Sequence, residues 1–394
     1  MPRVMLVLGI RPDLIRASRV IHLLRERPEI EFTLCWSGQH FSDNLKDVFI
    51  RELDLPAPDI ELGAAGDGDA ELVGSVIARL GPVIEEQRPD VVVFLGDTNT
   101  VMGTIAAAQL DVPIAHIEGC MRSYDWRMIE EKYRTVADHL SDVIYAYFDE
   151  YKQQGVREGL NPRNIVVIGN LIVDVLEEYY LGRPEEYERL TTDDFFSSRG
   201  IERDGYYVMT CHRRENVERP EPLGAILELV RQSPYPVYFP ASYRTQQRLS
   251  DFGLQLPPNV TMVDPVGYRE LLALMGNSRG AITDSGTVVE ETAVIGVPSL
   301  QMRRATERPQ VYDCGSSVKF DPAAPEDYPA ETVVAKLDSL HGREWDHGLG
   351  DGHASERLVD DLVRRVSAGE LRGHDPGDSH IDVSRSYRED GLDG

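Results

Sequence analysis

At 394 residues, the chain is long enough for two domains of ordinary size, and a hydrophobic fraction of 41% can supply their cores. The net charge of −26 argues against nucleic acids and anionic membranes as partners, and no apolar run approaches the roughly 20 residues that span a bilayer. The four cysteines are scattered without a C-x-x-C pair, which argues against structural zinc and a disulfide framework. We expect neither a metal nor a cofactor.

The composition also predicts where the protein works. Only five of the 41 basic residues are lysines, against 67 Asp and Glu residues. Such a surface is typical of proteins that stay soluble at high salt, so we expect a halophilic cytoplasm. The first residues, MPRVMLVLGIRP, contain a short apolar run that lacks a small-residue cleavage site. We interpret this run as a buried strand and not as a signal peptide.

Apolar runs alternate with helical patterns through the first half of the chain. Residues 4–9 are continuously apolar, as expected for a strand buried on both faces of a parallel sheet. Further strands are predicted at 32–37, 90–95, 112–117, 142–147 and 165–168. Helices are predicted at 14–24, 71–86, 101–110, 129–140 and 171–180. This alternation predicts an α/β domain with a doubly wound parallel sheet.

Polar residues follow four of these strands. Arg11, Gln39, Asp97 and Glu118 each come shortly after the end of a strand. In doubly wound sheets, ligands bind beyond the carboxyl ends of the strands. Each of these residues alone would fit a turn or a helix cap, but four at one edge favour a binding or catalytic site.

The second half repeats this organisation without repeating the sequence. Strands are predicted at 206–210, 237–240 and 260–263, before Thr283 and after Pro298. Helices are predicted at 223–231, around 245, after 268, after 286, at 333–340 and at 357–366. The pattern therefore predicts a second parallel sheet.

Domain limits follow from these elements. We predict an N-terminal Rossmann-like domain at 1–172 and a C-terminal one at 173–350, with the junction in the charged, poorly periodic stretch 181–204. Helix 355–366 is expected to pack back onto the first domain. Residues 367–394 are rich in Gly, Asp and Ser without a core pattern, which predicts a disordered acidic tail.

The stretch from Ala281 to Pro309 contains the most informative pattern. A short strand leads into Thr-Asp-Ser-Gly and a helix, so that Ser285 and Gly286 lie where free N–H groups and the helix dipole favour an anion. Glu290 and Glu291 follow inside the helix, where carboxylates suit sugar hydroxyls. Three arginines come after the next strand: Arg303, Arg304 and Arg308.

A second turn in this half is dense in groups that bind ligands. Residues 211–216 read Cys-His-Arg-Arg-Glu-Asn directly after a strand. The second half thus offers an anion site, arginines and carboxylates for a diol, while the first half offers carboxylates at Asp97, Glu118 and Glu130. This division suits a nucleotide sugar whose diphosphate contacts one domain and whose sugar contacts the other.

Eight short motifs occur in order between about residues 4 and 365. The chain resembles the non-hydrolysing UDP-N-acetylglucosamine 2-epimerases in these motifs. They are GIRP at 9–12, SGQH at 37–40, GDTNT at 96–100, HIE at 116–118, MIEE at 128–131 with Arg134, HRREN at 212–216, TDSG at 283–286 with Glu290 and Glu291, and TERP at 306–309. The resemblance implies a GT-B fold, in which two Rossmann-like domains face a central cleft. It also implies a homodimer.

The resemblance implies a specific reaction and specific catalytic residues. This family interconverts UDP-GlcNAc and UDP-ManNAc by eliminating UDP to an enzyme-bound 2-acetamidoglucal and adding UDP back. Asp97, Glu118 and Glu130 are the implied acid/base groups, without an assignment to either face of C2. His212 would neutralise the departing diphosphate. Glu131 is expected to be a solvated or salt-bridged helix residue.

The implied binding residues are spread over both domains. Arg11, Arg213 and the amides of Ser285 and Gly286 would assist His212 at the diphosphate. Arg16 stands where the family usually has lysine, which keeps the charge but alters the contact geometry. The remaining positions are Glu291 at the ribose diol, Leu271 near the uracil and Arg308 near the sugar, whereas Glu290 is expected to be a solvated or salt-bridged helix residue.

Several positions depart from the family pattern and leave the exact sugar open. The usual Glu-Ala-Gly reads Glu118-Gly119-Cys120, and the usual Asn after the paired glutamates is Tyr133. The Gln before the second Glu pair is Val289, and a common His is Ser242. The helix start used by many bacterial members for activation by a second UDP-GlcNAc reads Asp-Ala-Glu-Leu at 69–72, so we expect weak or absent substrate activation.

Three other functions fit parts of the pattern. A hydrolysing relative would release UDP and free ManNAc, and a GT-B glycosyltransferase would need an acceptor groove. A catalytically silent sensor would bind the nucleotide sugar without turnover. The joint presence of Asp97, Glu118, Glu130 and His212 favours the epimerase over the sensor.

Overall fold

The computed structural model describes residues 1–38, 48 and 50–371. Gln39 and His40 of the second motif lie outside the described residues, as does the predicted tail 367–394 from residue 372 onwards. The expectation of disorder was wrong at the start of that tail, because residues 367 and 368 are the last two of a helix. The described chain forms two compact units. The first contains residues 1–38, 55–170 and 353–371, and the second contains residues 48, 50–54 and 171–352.

The first unit is built on a parallel sheet of seven described strands. Its strand order is β3-β2-β1-β4-β5-β6-β7, so the chain reverses direction across the sheet between β1 and β4. Strands β1 and β4 are almost wholly buried because helices cover both faces. The strands are β1 (Arg3–Leu8), β2 (Glu31–Trp36), β3 (Ile60–Glu61), β4 (Val91–Leu95), β5 (Ile114–Ile117), β6 (Val143–Ala146) and β7 (Ile165–Val167).

Helices connect these strands in sequence. They are α1 (Arg11–Glu26), α2 (Asp69–Gln87), α3 (Thr104–Gln109), preceded by the 3₁₀ turn Asn99–Gly103, α4 (Ile129–Leu140) and α5 (Asp149–Arg157). The C-terminal helix, Ala354–Ala368, packs against α1. Arg357 donates to the carbonyl oxygen of Ile168 at 3.0 Å, and Tyr145 donates to Asp361 at 3.1 Å. The last helix therefore belongs to the first sheet, although its sequence is distant from it.

The second unit has the same topology with one described strand fewer. Its strand order is β10-β9-β8-β11-β12-β13, all parallel, with the reversal between β8 and β11. The strands are β8 (Tyr207–Thr210), β9 (Val237–Pro240), β10 (Val260–Val263), β11 (Gly280–Thr283), β12 (Ser299–Met302) and β13 (Ser317–Phe320). The predicted α/β class with two Rossmann-like sheets is confirmed.

Helices again cover both faces of this sheet. They are α6 (Leu171–Leu176), continued by the π turn Glu177–Leu181, α7 (Pro184–Leu190), α8 (Asp193–Ser197), α9 (Arg214–Val217), α10 (Pro220–Arg231), α11 (Tyr243–Asp251), α12 (Tyr268–Gly276), α13 (Gly286–Val294), α14 (Gln310–Asp313), the 3₁₀ turn Pro325–Asp327, and α15 (Ala330–Asp338). Residues 48 and 50–52 are also helical. Across both units, none of the helices described is long and apolar enough to cross a membrane.

The structure differs from the predictions in the stretch 181–204. We expected the linker between the domains there, but the stretch lies inside the second unit. That unit begins at Leu171, two residues before the predicted limit at 173. The stretch forms α7 and α8, which bury Tyr187, Phe195 and Phe196 among charged neighbours. The sequence did not indicate that these aromatic residues are buried, because each helix is too short to show a helical period among its charged residues. Strand β13 and helix α5 were also missed.

In each sheet, the strand order reverses between two neighbouring strands, and predicted site residues follow the carboxyl ends of both. We call this position the reversal point. In doubly wound sheets a crevice opens at this point, because the flanking helices lie on opposite faces. In the first unit the strands are β1 and β4, followed by Arg11 and Asp97. In the second unit they are β8 and β11, followed by His212 and Ser285.

Candidate functional site

The turns after β4 and β5 hold two of the predicted catalytic carboxylates. Asp97 is the second residue after β4, and Glu118 directly follows β5. Gly96 and Glu118 have positive φ angles of +78° and +69°. Glycine adopts this conformation without strain, whereas glutamate does so only where the surroundings enforce it. Strained residues concentrate at functional sites, so this geometry supports a catalytic role for Glu118.

Arg16 joins Glu118 to a second buried carboxylate. Its Nη1 pairs with Oε2 of Glu118, and its Nη2 lies 2.8 Å from Oδ1 of Asp13. Burial raises the pKa of Asp13 to about 6, although Arg16 acts in the opposite direction. The planar guanidinium holds two carboxylates with two separate nitrogens, at a spacing that a lysine ammonium does not fix. The departure from lysine therefore changes how Glu118 is held.

Arg134 and Glu131 hold Asp97 in the same unit. Nη2 of the buried Arg134 pairs with Oδ2 of Asp97, while its Nη1 lies 3.2 Å from Oε2 of Glu131. Glu131 also accepts from the backbone N–H groups of Ser123 and Tyr124. It is thus the salt-bridged residue that we expected. Glu130, the second residue of α4, is half-buried.

In the second unit, one buried carboxylate organises the turn after β8. Asp284 accepts hydrogen bonds from the backbone N–H groups of His212 and Arg213, both at 2.9 Å, and from the side-chain amide of Asn216 at 3.2 Å. Nδ1 of His212 lies 3.2 Å from Oδ1 of Asp284, and the His212 side chain is half exposed. Asp284 therefore orients an imidazole that is open to a ligand.

The start of α13 is where we expect an anion site. Ser285 caps the helix, since its Oγ accepts from the N–H of Val288 at 3.3 Å. A Cβ added at Gly286 would lie 2.5 Å from Nη1 of Arg308. Any larger residue here would displace the guanidinium, because it packs directly on the backbone of Gly286. The N–H of Ser285, which we expected at the diphosphate, instead donates to Oγ1 of Thr283 at 3.0 Å. The helix dipole and Arg308 still meet at this helix start, an arrangement that favours an anion.

Arg308 belongs to a buried charge cluster with two other arginines. Its Nε lies 2.9 Å from Glu290, and Arg303 lies 2.9 Å from Glu307. Glu307 also pairs with Arg308 and lies 4.0 Å from Arg213. Burial and the neighbouring arginines lower the pKa of Arg303. Glu290 is therefore salt-bridged and not solvated, the two alternatives that we expected. Arg213 also lies 3.5 Å from Glu215, so three arginines meet three glutamates in this cluster.

The remaining predicted residues occupy separate places. Glu291 is buried and accepts from the hydroxyl of Tyr268 at 2.8 Å. Leu271 lies half-buried on α12, whose N-terminal amides donate to Glu52. Arg11 is the first residue of α1 and is half-buried. These placements associate Glu291 and Leu271 with the second unit, as predicted.

Asp284 and Glu307 were missed as organising residues. Asp284 lies in the TDSG motif and Glu307 in the TERP motif. The partners of Asp284 are distant in sequence. Arg308, a partner of Glu307, was assigned to ligand binding. The motif departure at Ser242 also has a local explanation, because this serine caps α11 by accepting from the N–H of Thr245 at 3.2 Å.

Comparison with known proteins agrees with this geometry. The family model described as UDP-N-acetylglucosamine 2-epimerase matches residues 22–363. A UDP-N-acetylglucosamine 2-epimerase of Methanocaldococcus jannaschii is 34% identical over 90% of this chain and 97% of its own. A UDP-2,3-diacetamido-2,3-dideoxy-D-glucuronate 2-epimerase of Pseudomonas aeruginosa is 31% identical over 92% of this chain and 99% of its own.

A solved structure gives the same result for the fold. The crystal structure of the M. jannaschii UDP-GlcNAc 2-epimerase in complex with UDP-GlcNAc and UDP matches with a TM-score of 0.82 and 31% identity. The match covers 92% of this chain and 99% of that one. Family match, sequence identity and fold agree over nearly the whole length, and the chain belongs to the UDP-N-acetylglucosamine 2-epimerase family.

Proposed function

We propose that this chain interconverts UDP-GlcNAc and UDP-ManNAc by inverting C2 without net hydrolysis. The observation that carries the proposal is that the two reversal points hold different kinds of chemical group. The first holds arginine-paired carboxylates at Asp97 and Glu118, suited to proton transfer. The second holds the His212 imidazole and the Gly286–Arg308 anion site, suited to a diphosphate.

The proposed route is an elimination followed by an addition. A carboxylate removes the C2 proton while the bond between C1 and the diphosphate oxygen breaks, so the electron pair leaves with UDP and a 2-acetamidoglucal remains. A second carboxyl group, acting as an acid, then protonates C2 on the opposite face, and the diphosphate oxygen forms its bond to C1 again. Asp97, Glu118 and Glu130 are the candidates for these proton transfers.

Retention of UDP distinguishes this route from hydrolysis. His212, Arg213 and the Gly286 N–H at the start of α13 would hold the diphosphate while C1 is unsaturated. Arg308, which the resemblance implied near the sugar, packs on Gly286 and would join them. Glu291 would bind the ribose diol and Leu271 would contact the uracil. Contacts to both phosphate and nucleoside keep UDP available for re-addition, which supports the non-hydrolysing branch.

The second candidate is the same inversion on a different sugar. The P. aeruginosa relative, named for a diacetamido uronate, is nearly as similar to this chain as the M. jannaschii relative. Both would use the same carboxylates and diphosphate site. The candidates differ only in the groups at C3 and C5, so a test must offer both sugars.

Proton NMR of the purified protein in D2O and molar KCl tests the function directly. With UDP-GlcNAc, we expect an equilibrium mixture with UDP-ManNAc that carries deuterium at C2. Free UDP together with free ManNAc would instead place the protein in the hydrolysing branch. Turnover of the diacetamido uronate alone would select the second candidate, and binding without turnover of either sugar would leave a sensor or a glycosyltransferase.

Replacement of Gly286 tests the diphosphate site. The added methyl group in Gly286→Ala would meet Nη1 of Arg308 at 2.5 Å, so the guanidinium must move off the helix start. We expect UDP to bind at least about tenfold more weakly, as measured by isothermal titration calorimetry, because one charge-assisted contact is worth roughly 1.5–3 kcal/mol. Gly224→Ala is the matched control, since a Cβ there meets nothing within 4 Å. Equal UDP affinities in the two variants would contradict this assignment.

A further inference from the structure

Two buried side chains outside the proposed chemistry connect the turns that carry Asp97 and Glu118. His116, on β5, is fully buried. Its Nε2 lies 2.7 Å from the carbonyl oxygen of Gly96, the residue before Asp97. Its Nδ1 lies 2.7 Å from Oδ1 of Asp138, on α4. His116 therefore bridges the turn after β4 and helix α4.

Asp138 extends this connection to the turn after β5. Its Oδ2 accepts from the N–H of Cys120 at 2.9 Å and lies 2.7 Å from Nη2 of Arg122. Burial alone would raise the pKa of Asp138, but Arg122, His116 and the Cys120 N–H together lower it to about 2. The carboxylate is therefore ionised and accepts on both oxygens. The two ring nitrogens of His116 thus face two different acceptors, the Asp138 carboxylate and the Gly96 carbonyl oxygen.

The backbone of the β5 turn needs such support. Glu118 and Cys120 both have positive φ angles, +69° and +62°, although neither is glycine. A Cβ at Gly119 would lie 2.5 Å from Oδ1 of Asp138 and 2.4 Å from Cγ2 of Ile144. The Asp138 carboxylate thus packs against the turn itself. Two strained residues in a row of three persist only where the surroundings determine them.

We propose that Asp138 and His116 are positioning residues that set the relative placement of Asp97 and Glu118. The inference rests on the proposed function, because it concerns the spacing of the two proton-transfer groups. Neither residue needs to touch the substrate. Misplacement of a catalytic group by about 1 Å can cost about 10²-fold in rate, so loss of the connection should act on turnover.

Two substitutions of Asp138 test whether its hydrogen bonds position the catalytic groups. In Asp138→Asn, the side-chain oxygen can accept from Cys120 and Arg122, and the amide can donate to Nδ1 of His116 while Nε2 keeps its contact with Gly96. We expect kcat within about fivefold of wild type. Asp138→Ala removes all the hydrogen bonds of the carboxylate, and we expect kcat to fall about 10²-fold. The KM for UDP-GlcNAc should stay within about threefold of the wild-type value, and the affinity for UDP should not change.

A second readout and a control complete the test. Loss of kcat without loss of UDP affinity in Asp138→Ala, together with near-wild-type kcat in Asp138→Asn, is a combination that a purely structural role would not give. The matched control is Asp142→Asn, which alters an aspartate that accepts from the N–H of Ile114 at 2.8 Å, at the other end of β5. Its kcat should equal that of the wild type. If Asp138→Ala does not fold, His116→Gln replaces it, with an expected loss of about tenfold in kcat.

Clear outcomes overturn the inference. Full kcat in Asp138→Ala, an equal loss in Asp138→Asn and Asp138→Ala, or a loss confined to KM would each contradict a positioning role. A wild-type protein that converts neither nucleotide sugar would instead refute the proposed function. The two failures are distinct because the second is seen before any variant is made.

Discussion

Glu118→Gln is expected to lose C2 inversion and C2 deuterium exchange by about 10³-fold while binding UDP with wild-type affinity. Glutamine has nearly the same size and can still accept from Arg16, so the β5 turn should persist. It cannot take up or release a proton at C2, and general acid–base catalysis contributes typically 10²–10⁴-fold. NMR exchange kinetics in D2O and calorimetry with UDP measure the two quantities.

A charge-neutralising control separates this effect from a general change in electrostatics. Glu228 lies 3.0 Å from Arg231 on α10, in the second unit, and its side chain is exposed. Glu228→Gln makes the same chemical change at a glutamate–arginine pair away from the reversal points, and its kinetics should match the wild type. Wild-type exchange in Glu118→Gln would remove Glu118 from the proton-transfer step and leave Asp97 and Glu130 as candidates.

Asp284→Ala is expected to weaken UDP binding by about 10²-fold. The substitution leaves the N–H groups of His212 and Arg213 without their acceptor, and each unsatisfied buried donor costs about 1–3 kcal/mol. The turn should relax, so that the imidazole and the arginine no longer face one point. Calorimetry with UDP, at a temperature where circular dichroism shows the variant folded, gives the affinity.

The control for Asp284 comes from the same sheet. Asp321 directly follows β13, is buried, and accepts from the N–H of Ala323 at 2.9 Å. Asp321→Ala should lower the midpoint of thermal unfolding and leave UDP affinity unchanged. Equal losses of affinity in the two variants would mean that Asp284 contributes stability alone and does not shape the ligand site.

The local pattern was sufficient for most of the fold. Continuous apolar runs identified β1, β4 and β5 because strands buried on both faces need apolar side chains at every position. Ser285 was identified as a cap because its hydroxyl acts within three residues of the chain. Residues after strands were placed at the sheet edge because all parallel strands end on the same side.

The pattern failed where elements were short or mixed. Strand β13 has four residues and contains Lys319, so no apolar run marks it. Helices α7 and α8 have seven and five residues, too few for a period to emerge among charges. In each case tertiary packing supplies the burial that decides the structure.

The sequence by itself determined which chemical groups stand at the strand ends, because burial periodicity and capping are local properties of the chain. Tertiary structure alone decided how those groups are paired. Arg16 holds Glu118 across 102 residues, and Asp284 orients His212 across 72. Such contacts depend on the order in which strands lie side by side, and no local pattern encodes that order. For the same reason the sequence did not predict the role of Asp138. Its carboxylate contacts the turn of Glu118 only when β5 and α4 are packed together.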